Sequence, residues 1–206
     1  MALRLVDHPL AQHLLTILRD QTTDTLQFRH ASRTLATVLM LEATRDLPLA
    51  PQPISTPLTT TDGTRLARGI TVVPVLRAGL GLLQASLDLF PDVTVGYLGL
   101  ERNEETAAAS SYYRKLPKLA NRVTFCVDPM LATGGSACQA LHVLKEAGAV
   151  DLHYVCVLAA PEGVALLQAE PPDVDIYTAA VDSHLNDKKY IVPGLGDYGD
   201  RLFGTL

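Results

Sequence analysis

The sequence predicts an α/β fold, a mostly parallel sheet flanked by helices, with N-terminal helices and a β-hairpin arm ahead of it. Three observations carry that expectation. From Ile70 onward, short apolar runs alternate with helical patterns, the order that builds parallel sheets with crossover helices. The runs are rich in Val, Ile and Leu, as strands covered on both faces are. At Phe125–Ser136 one run ends in an acid and passes through paired glycines into a helix start.

Pro9–Asp20 spaces Leu10, Leu14, Ile17 and Leu18 at helical intervals, with Pro9 suited to a first turn. Asp24–Ala43 places Phe28, Ala31, Leu35, Val38 and Leu39 on one helical face, with Asp24 or Thr25 as N-cap. Leu47–Pro57 carries Pro48, Pro51, Pro53 and Pro57, a density that no helix survives. Thr59–Arg68 contains Asp62-Gly63, a turn signal, and is expected to form a projecting β-hairpin. Ile70–Leu76 reads as a strand, Ala78–Leu89 as a helix and Val93–Leu98 as a strand. Arg102–Lys118 is polar and poorly periodic, the pattern of a mobile lid. Arg122–Val127, His153–Leu158 and Val174–Ala179 read as strands. Ser136–Ala147 and Pro161–Ala169 read as helices, the first ended by Gly148.

With 206 residues, one domain spanning 1–206 is the default. Its parts are a Pro-rich arm at 47–69, the loop at 102–118 and a C-terminal segment at 181–206. The 17 basic and 22 acidic residues give a net charge of −5, which opposes a broad nucleic-acid surface but permits a small basic pocket. The longest apolar candidate, Ile70–Leu83, is broken by Pro74, Arg77 and two glycines, so no membrane span is expected. The N-terminus lacks the apolar core of a secretory signal, and a cytoplasmic location is expected. Cys126, Cys138 and Cys156 form no C-x-x-C and read as buried thiols; the six histidines form no metal-binding pair.

The chemistry concentrates in four places. In F-C-V-D-P-M-L-A-T-G-G-S, Asp128 ends an apolar strand, where it can accept from sugar hydroxyls or sit near a metal. Thr133, Gly134, Gly135 and Ser136 open a helix whose unpaired N–H groups suit a phosphate. The glycines allow close backbone approach, and Gly134→Val is expected to impair that approach without disturbing the fold. The alternative is a capped turn with no ligand. No Lys precedes Ser136, so a Walker A site is not supported. In V-V-P-V-L-R-A-G, Arg77 emerges at a strand's carboxyl end, where a guanidinium can pair with phosphate oxygens; a solvated turn arginine is the alternative. Arg102 opens the long polar loop. Gly194, Gly196 and Gly199 formally match G-x-G-x-x-G, but no strand–helix unit follows.

Taken together, D-H-P-L, I-T-V-V-P-V-L-R-A-G-L-G, R-N-E-E-T, V-D-P-M-L-A-T-G-G-S, A-A-P-E-G and Y-I-V-P-G-L-G-D-Y-G-D-R-L-F-G-T resemble the uracil phosphoribosyltransferases over nearly the whole chain. The resemblance implies a phosphoribosyltransferase-like fold and transfer of the 5-phosphoribosyl group from phosphoribosyl diphosphate (PRPP) to uracil, giving UMP and pyrophosphate. It implies Mg²⁺ as cofactor, entering mainly on PRPP rather than through protein metal ligands. It also implies a homodimer or higher homo-oligomer and GTP as an effector, with no stable nucleic-acid partner and no membrane.

By the same resemblance the catalytic positions are Asp128, Arg77 and Arg102. PRPP contacts fall on Arg77, Arg102, Asp128, Pro129, Met130, Leu131, Ala132, Thr133, Gly134, Gly135, Ser136 and Asp197. Uracil contacts fall on Ile191, Gly196, Asp197 and Tyr198, largely through backbone. Tyr198 stands where many members carry Ala and is expected to shape the pocket wall. Glu101 stands where Tyr is frequent. An RNA-binding regulator on the same fold would need a basic face. An orotate enzyme would need a cation near the base segment, and Tyr190–Tyr198 contains none.

Overall fold

A computed structural model of the chain describes residues 2–102, 109–169 and 174–205, the side chains at 101, 102 and 109–111 excepted. Helices α1 (Pro9–Arg19) and α2 (Thr25–Ala43) open the chain. Asp24 caps α2, its carboxylate accepting from the Gln27 N–H at 2.8 Å. In α1 the buried stripe is Ala11, Leu14, Leu15 and Leu18, while Leu10 is exposed.

The arm differs from expectation. Strand β2 (Leu49–Ser55) is the Pro-rich segment itself, and β3 (Thr60–Leu66) pairs with it antiparallel. The turn lies at Thr56–Thr59, closed by Thr56 N–H to Thr59 O at 2.8 Å. Asp62 and Gly63 sit inside β3, opposite Pro53 and Gln52. Bonded pairs fall at even positions of β2: Pro48 O accepts from Ala67 N, and Thr56 pairs with Thr59. Pro51 and Pro53 are odd, so their missing N–H groups fall on the free edge, where proline costs no ladder bond.

The main sheet comprises β1 (Leu3–Leu5), β4 (Ile70–Leu76), β5 (Thr94–Val95), β6 (Tyr97–Arg102), β7 (Ala109–Lys115), β8 (Val123–Val127), β9 (Met130–Leu131), β10 (Asp151–Ala159) and β11 (Asp175–Val181). Its order is β1-β11-β10-β8-β4-β6-β7, with β5 beside β4 and β9 beside β10. Every pairing is parallel except β6 with β7. Strands β1, β7 and the two-residue β9 were not expected. The edge strand β1 is too short to show a period. Strand β7 occupies 7 residues of the stretch read as a lid; Tyr112–Lys115 are exposed, so no alternation marks the strand. Residues 103–108 of that stretch lie outside the described residues.

The other helices are α3 (Leu80–Leu89), α4 (Gly135–Glu146), α5 (Pro161–Ala169) and α6 (Tyr198–Phe203); β12 (His184–Leu185) and β13 (Ile191–Val192) form a small ribbon. Alternate sheet residues face opposite layers. Val72, Phe125, Val127, Val155 and Val157 pack with Phe28, Leu35, Leu39 and Leu82 of α2 and α3. Val73, Cys126, Tyr154 and Cys156 pack with Ala140, Leu141, Leu144 and Leu167 of α4 and α5.

Strand order reverses between β4 and β8: the chain proceeds from β4 outward to β6 on one side, and from β8 outward to β10 and β11 on the other. The two strands pair directly, Pro74 opposite Val127. Open α/β sheets bind ligands at such a switch point, outside the strands' carboxyl ends. Gly79, the N-cap of α3, lies against this edge; a Cβ there would stand 2.5 Å from Val127 O and 2.6 Å from Val75 O. Gly79→Ala is therefore expected to lower stability by about 2 kcal/mol or more, read as a lower urea midpoint.

Candidate active site

Residues 77 and 128 each follow a strand at the switch point, so the two motifs the sequence singled out meet at one edge. Asp128 is held by its N–H donating to Val155 O at 3.1 Å. The Met130 backbone N–H and the Tyr154 hydroxyl face its carboxyl. Burial dominates, and pushes its pKa up to about 7; these two donors act in the opposite direction. Such a carboxyl suits proton transfer near neutrality.

The glycine-rich turn follows. Strand β9 pairs Met130 and Leu131 with Leu158 and Ala159 of β10, fixing the loop's first half to the sheet. Gly134 is the N-cap of α4 with φ +85°, and no side chain caps this end. Thr133 and Ser136 therefore do not make it the self-capped turn of the alternative reading. The two glycines differ. A Cβ on Gly134 would stand 3.1 Å from Gly163 O, and Gly163 itself lies against the backbone of Leu131 and Ala132. Gly134 is thus required by φ and by packing on α5, so Gly134→Val would disturb the fold, contrary to the sequence expectation. Gly135 is exposed, has ordinary φ, and a Cβ would meet only Thr133 Oγ1, at 4.0 Å.

Arg77 is largely exposed. Its guanidinium lies 4.0 Å from Asp200 Oδ1 and over the Phe203 ring at 5.7 Å, so it leans on α6. Arg102 ends β6, three residues beyond Gly99, which pairs with Leu76 at the end of β4. Its backbone therefore lies past the same edge of the sheet; its side chain, and that of Glu101, fall outside the described residues.

A cavity of about 220 Å³ opens beside the switch point, lined by Ala78, Met130, Ala132, Lys189, Tyr190, Ile191, Gly196, Asp197, Tyr198 and Gly199. It gathers the loop after β4, the loop after β8 and the C-terminal segment around one small space. Four residues predicted for uracil (Ile191, Gly196, Asp197 and Tyr198) line it. Arg77, Asp128 and Thr133–Ser136 do not, and stand outside it. A larger apolar groove of about 750 Å³ lies between α1 and α2 and contains none of the motif residues.

Lys189 and Tyr190 were missed. Lys189 borders the cavity one residue outside the window searched for a cation. It occupies φ +65° in a turn built on Asn186, whose side-chain oxygen accepts from the N–H groups of Lys188 and Tyr190. That turn was legible in Asn186, but not its proximity to Ala78. The Tyr198 ring faces the core rather than forming a broad wall: the side chain is buried, its hydroxyl bonds Ser32 Oγ on α2, and its ring meets Phe28 edge-on at 5.3 Å. Gly81 makes room for it, since a Cβ there would lie 2.7 Å from the Tyr198 hydroxyl. Asp197 caps α6, accepting from the Asp200 N–H at 2.9 Å.

The segment is braced from behind. Arg19 donates to both Asp182 oxygens, at 2.8 and 2.6 Å, and to Gly194 O at 2.8 Å; Gly194 N–H returns to Asp182 at 2.8 Å. Arg201 donates to Leu195 O at 2.8 Å and stacks over Phe28 at 4.5 Å.

A parallel sheet with two anion-suited loops at one switch point defines a phosphoribosyltransferase-type α/β protein. Solved structures share this fold, among them a hypoxanthine-guanine phosphoribosyltransferase from Bacillus anthracis, with a TM-score of 0.53 at 14% identity, covering 77% of this chain and 79% of that one. The AQ2163 protein from Aquifex aeolicus superposes with a TM-score of 0.93 at 38% identity, covering 98% and 97%. The family model for uracil phosphoribosyltransferase matches residues 5–205. Uracil phosphoribosyltransferases of Streptococcus pyogenes and Campylobacter fetus are 52% and 47% identical, covering 98% and 99% of this chain and 98% of each relative. The chain belongs to the uracil phosphoribosyltransferase family.

Two measurements check the local physics. Unfolded, Asp128 titrates near its ordinary 3.8; folded, it keeps its proton up to about 7. Between those values the folded state binds more protons, so this group's contribution to stability is lost as pH rises from about 4 to 7. Asp128→Asn is expected to be more stable than the parent by about 4 kcal/mol at pH 8, the difference vanishing near pH 4 in urea titrations. Tyr198→Phe strands a buried Ser32 hydroxyl and is expected to cost about 1–2 kcal/mol, with unchanged preference for uracil over cytosine.

Proposed function

We propose that this chain transfers the 5-phosphoribosyl group from PRPP to uracil, giving UMP and pyrophosphate in pyrimidine salvage. The observation that carries the reading is the meeting of the Arg77 loop, the Asp128–Ser136 loop and a small C-terminal cavity at one switch point. Family membership supplies the substrate pair.

In this reading the N–H groups opening α4, with Thr133 and Ser136, receive the 5′-phosphate. Asp128 accepts from the ribose hydroxyls, with Pro129–Ala132 holding the loop beside it. Arg77 and Arg102 bind the diphosphate. Arg77 leaves its weak, solvent-screened contact with Asp200 to do so. Asp197 borders both substrates. Uracil enters the 220 Å³ cavity and meets backbone groups of Ile191 and Gly196–Tyr198. Backbone donors and acceptors cannot exchange by rotation, so a base with the reversed pattern leaves buried groups unpaired.

Pyrophosphate leaves C1 of the ribose as the uracil nitrogen attacks, and positive charge develops on the sugar. The protein's contribution is positioning and charge stabilisation. Mg²⁺ belongs to this reading as part of the PRPP substrate, where it would screen the diphosphate charge.

A homo-oligomer and a cytoplasmic location belong to the same proposal. The β2–β3 ribbon supports assembly, since it leaves Ile54, Leu49 and Leu58 exposed; light scattering of the protein with Leu58→Asp tests it. No described helix is long and apolar enough to cross a membrane. GTP as an effector follows from the resemblance, and initial rates with and without GTP test it.

Incubation with PRPP, Mg²⁺ and each of uracil, cytosine, orotate, xanthine and hypoxanthine should give nucleotide from uracil alone. Nucleotide from orotate instead would assign Lys189 to an anionic base. Asp128→Asn and Gly135→Val are each expected to lower kcat/KM for PRPP by about 100-fold, equivalent to ~2.7 kcal/mol, with unchanged far-UV circular dichroism. Parent-like kinetics in both would remove the site.

A further inference from the structure

Tyr154 stands in the middle of β10, wholly buried, and its hydroxyl has no hydrogen-bond partner of full geometry. Burying an unpaired phenol is unfavourable, so its presence at a wholly buried position of β10 calls for a cause. Tyr154 pairs in register with Cys126. Alternate residues of a strand share a face, so it lies on the face to which Asp128, two residues after Cys126, belongs. Asp128 is also tied to β10 through Val155 O at 3.1 Å. The Tyr154 hydroxyl consequently ends beside the Asp128 carboxyl, within reach of it.

We propose that Tyr154 is a positioning residue, its hydroxyl donating to the Asp128 carboxylate from inside the core and fixing the orientation in which that carboxylate meets the ribose of PRPP. This rests on the reading of Asp128 as a ribose contact. The near-contact closes to a full hydrogen bond when the carboxylate carries its charge, because a charged acceptor draws the donor more strongly.

The titratable groups facing Asp128 are Cys126 on its own strand, Tyr154 and Cys156 on β10, and Tyr198 on α6. Burial holds all four in their neutral, protonated forms. Arg77, on the loop after β4, leans on α6 instead. The side-chain donor available to the charged form of Asp128 is therefore the phenol, supported by the Met130 N–H. Removing the phenol raises the carboxyl's pKa further.

Tyr154→Phe keeps the ring and deletes the hydroxyl. If Tyr154 only packs, the variant is neutral or slightly more stable, because an unpaired buried group has gone, and its pH–rate profile matches the parent. The proposal expects kcat/KM for PRPP to fall about fivefold at pH 7, with KM for uracil unchanged. The acid limb of the profile should move up by about one pH unit, so that the rate recovers by pH 9. In the Asp128→Asn background the same change should have no further effect. A carboxyl titration by ¹³C NMR, assigned with Asp128→Asn, gives a readout independent of turnover. A raised midpoint in Tyr154→Phe supports the contact even if the parent makes no UMP, in which case the substrate reading alone fails. An unmoved midpoint and profile overturn the proposal.

Discussion

The rest of the molecule depends on one backbone approach. Where strand order reverses, β4 and β8 must end side by side, and the loop after β4 must turn into α3 without lifting from the sheet. Gly79 permits this, because only a residue without Cβ can lie against the carbonyls of Val75 and Val127. Arg77 and Asp128 belong to opposite halves of the winding, yet the close approach brings their loops to one edge. A second glycine contact, Gly134 against Gly163, seats the start of α4 on α5 beside it.

The C-terminal segment has little core of its own and is held by polar anchors. Asp182 is nearly buried, and its pairing with Arg19 also closes on both backbone groups of Gly194. Such a pair adds little net stability over an apolar replacement, but breaking it is costly. Its effect here is geometric: it ties the turn before Gly196 to the end of α1. Tyr198 performs the corresponding task from inside, pinned between Ser32 and Phe28. One side of the cavity is thereby fixed to the α1–α2 layer, and the other, Met130 and Ala132, to the sheet.

Asp128 shows the tension between stability and function. A carboxyl at the end of a buried strand is poorly solvated and retains its proton toward neutrality. The same poor solvation strengthens its interactions once it is charged. The fold tolerates the group because two donors, one backbone and one phenolic, stand ready for the anion.

Local signals carried much of this in the sequence itself. Apolar runs bounded by Gly, Pro and acids marked the central strands, and Asp24 and Gly148 marked helix limits. The motif residues at 77 and 128–136 were legible because strand, charge and glycine followed one another within a dozen positions. Tertiary structure alone decided what depends on pairing across distance. The exposed strands β2 and β7 bear no periodicity, since a strand solvated on both faces need not alternate. Asp62-Gly63, a turn signal locally, became mid-strand because the register of the ribbon put the turn at Thr56–Thr59. Lys189 reached the cavity, the Tyr198 ring turned to the core, and Gly134 proved a packing requirement. For Tyr198 and Gly134 a neighbour remote in sequence set the outcome, Ser32 and Gly163 respectively; Lys189 shares its cavity with the equally remote Ala78. A sequence specifies which residues can make such contacts, but the packing of the layers chooses which of them meet.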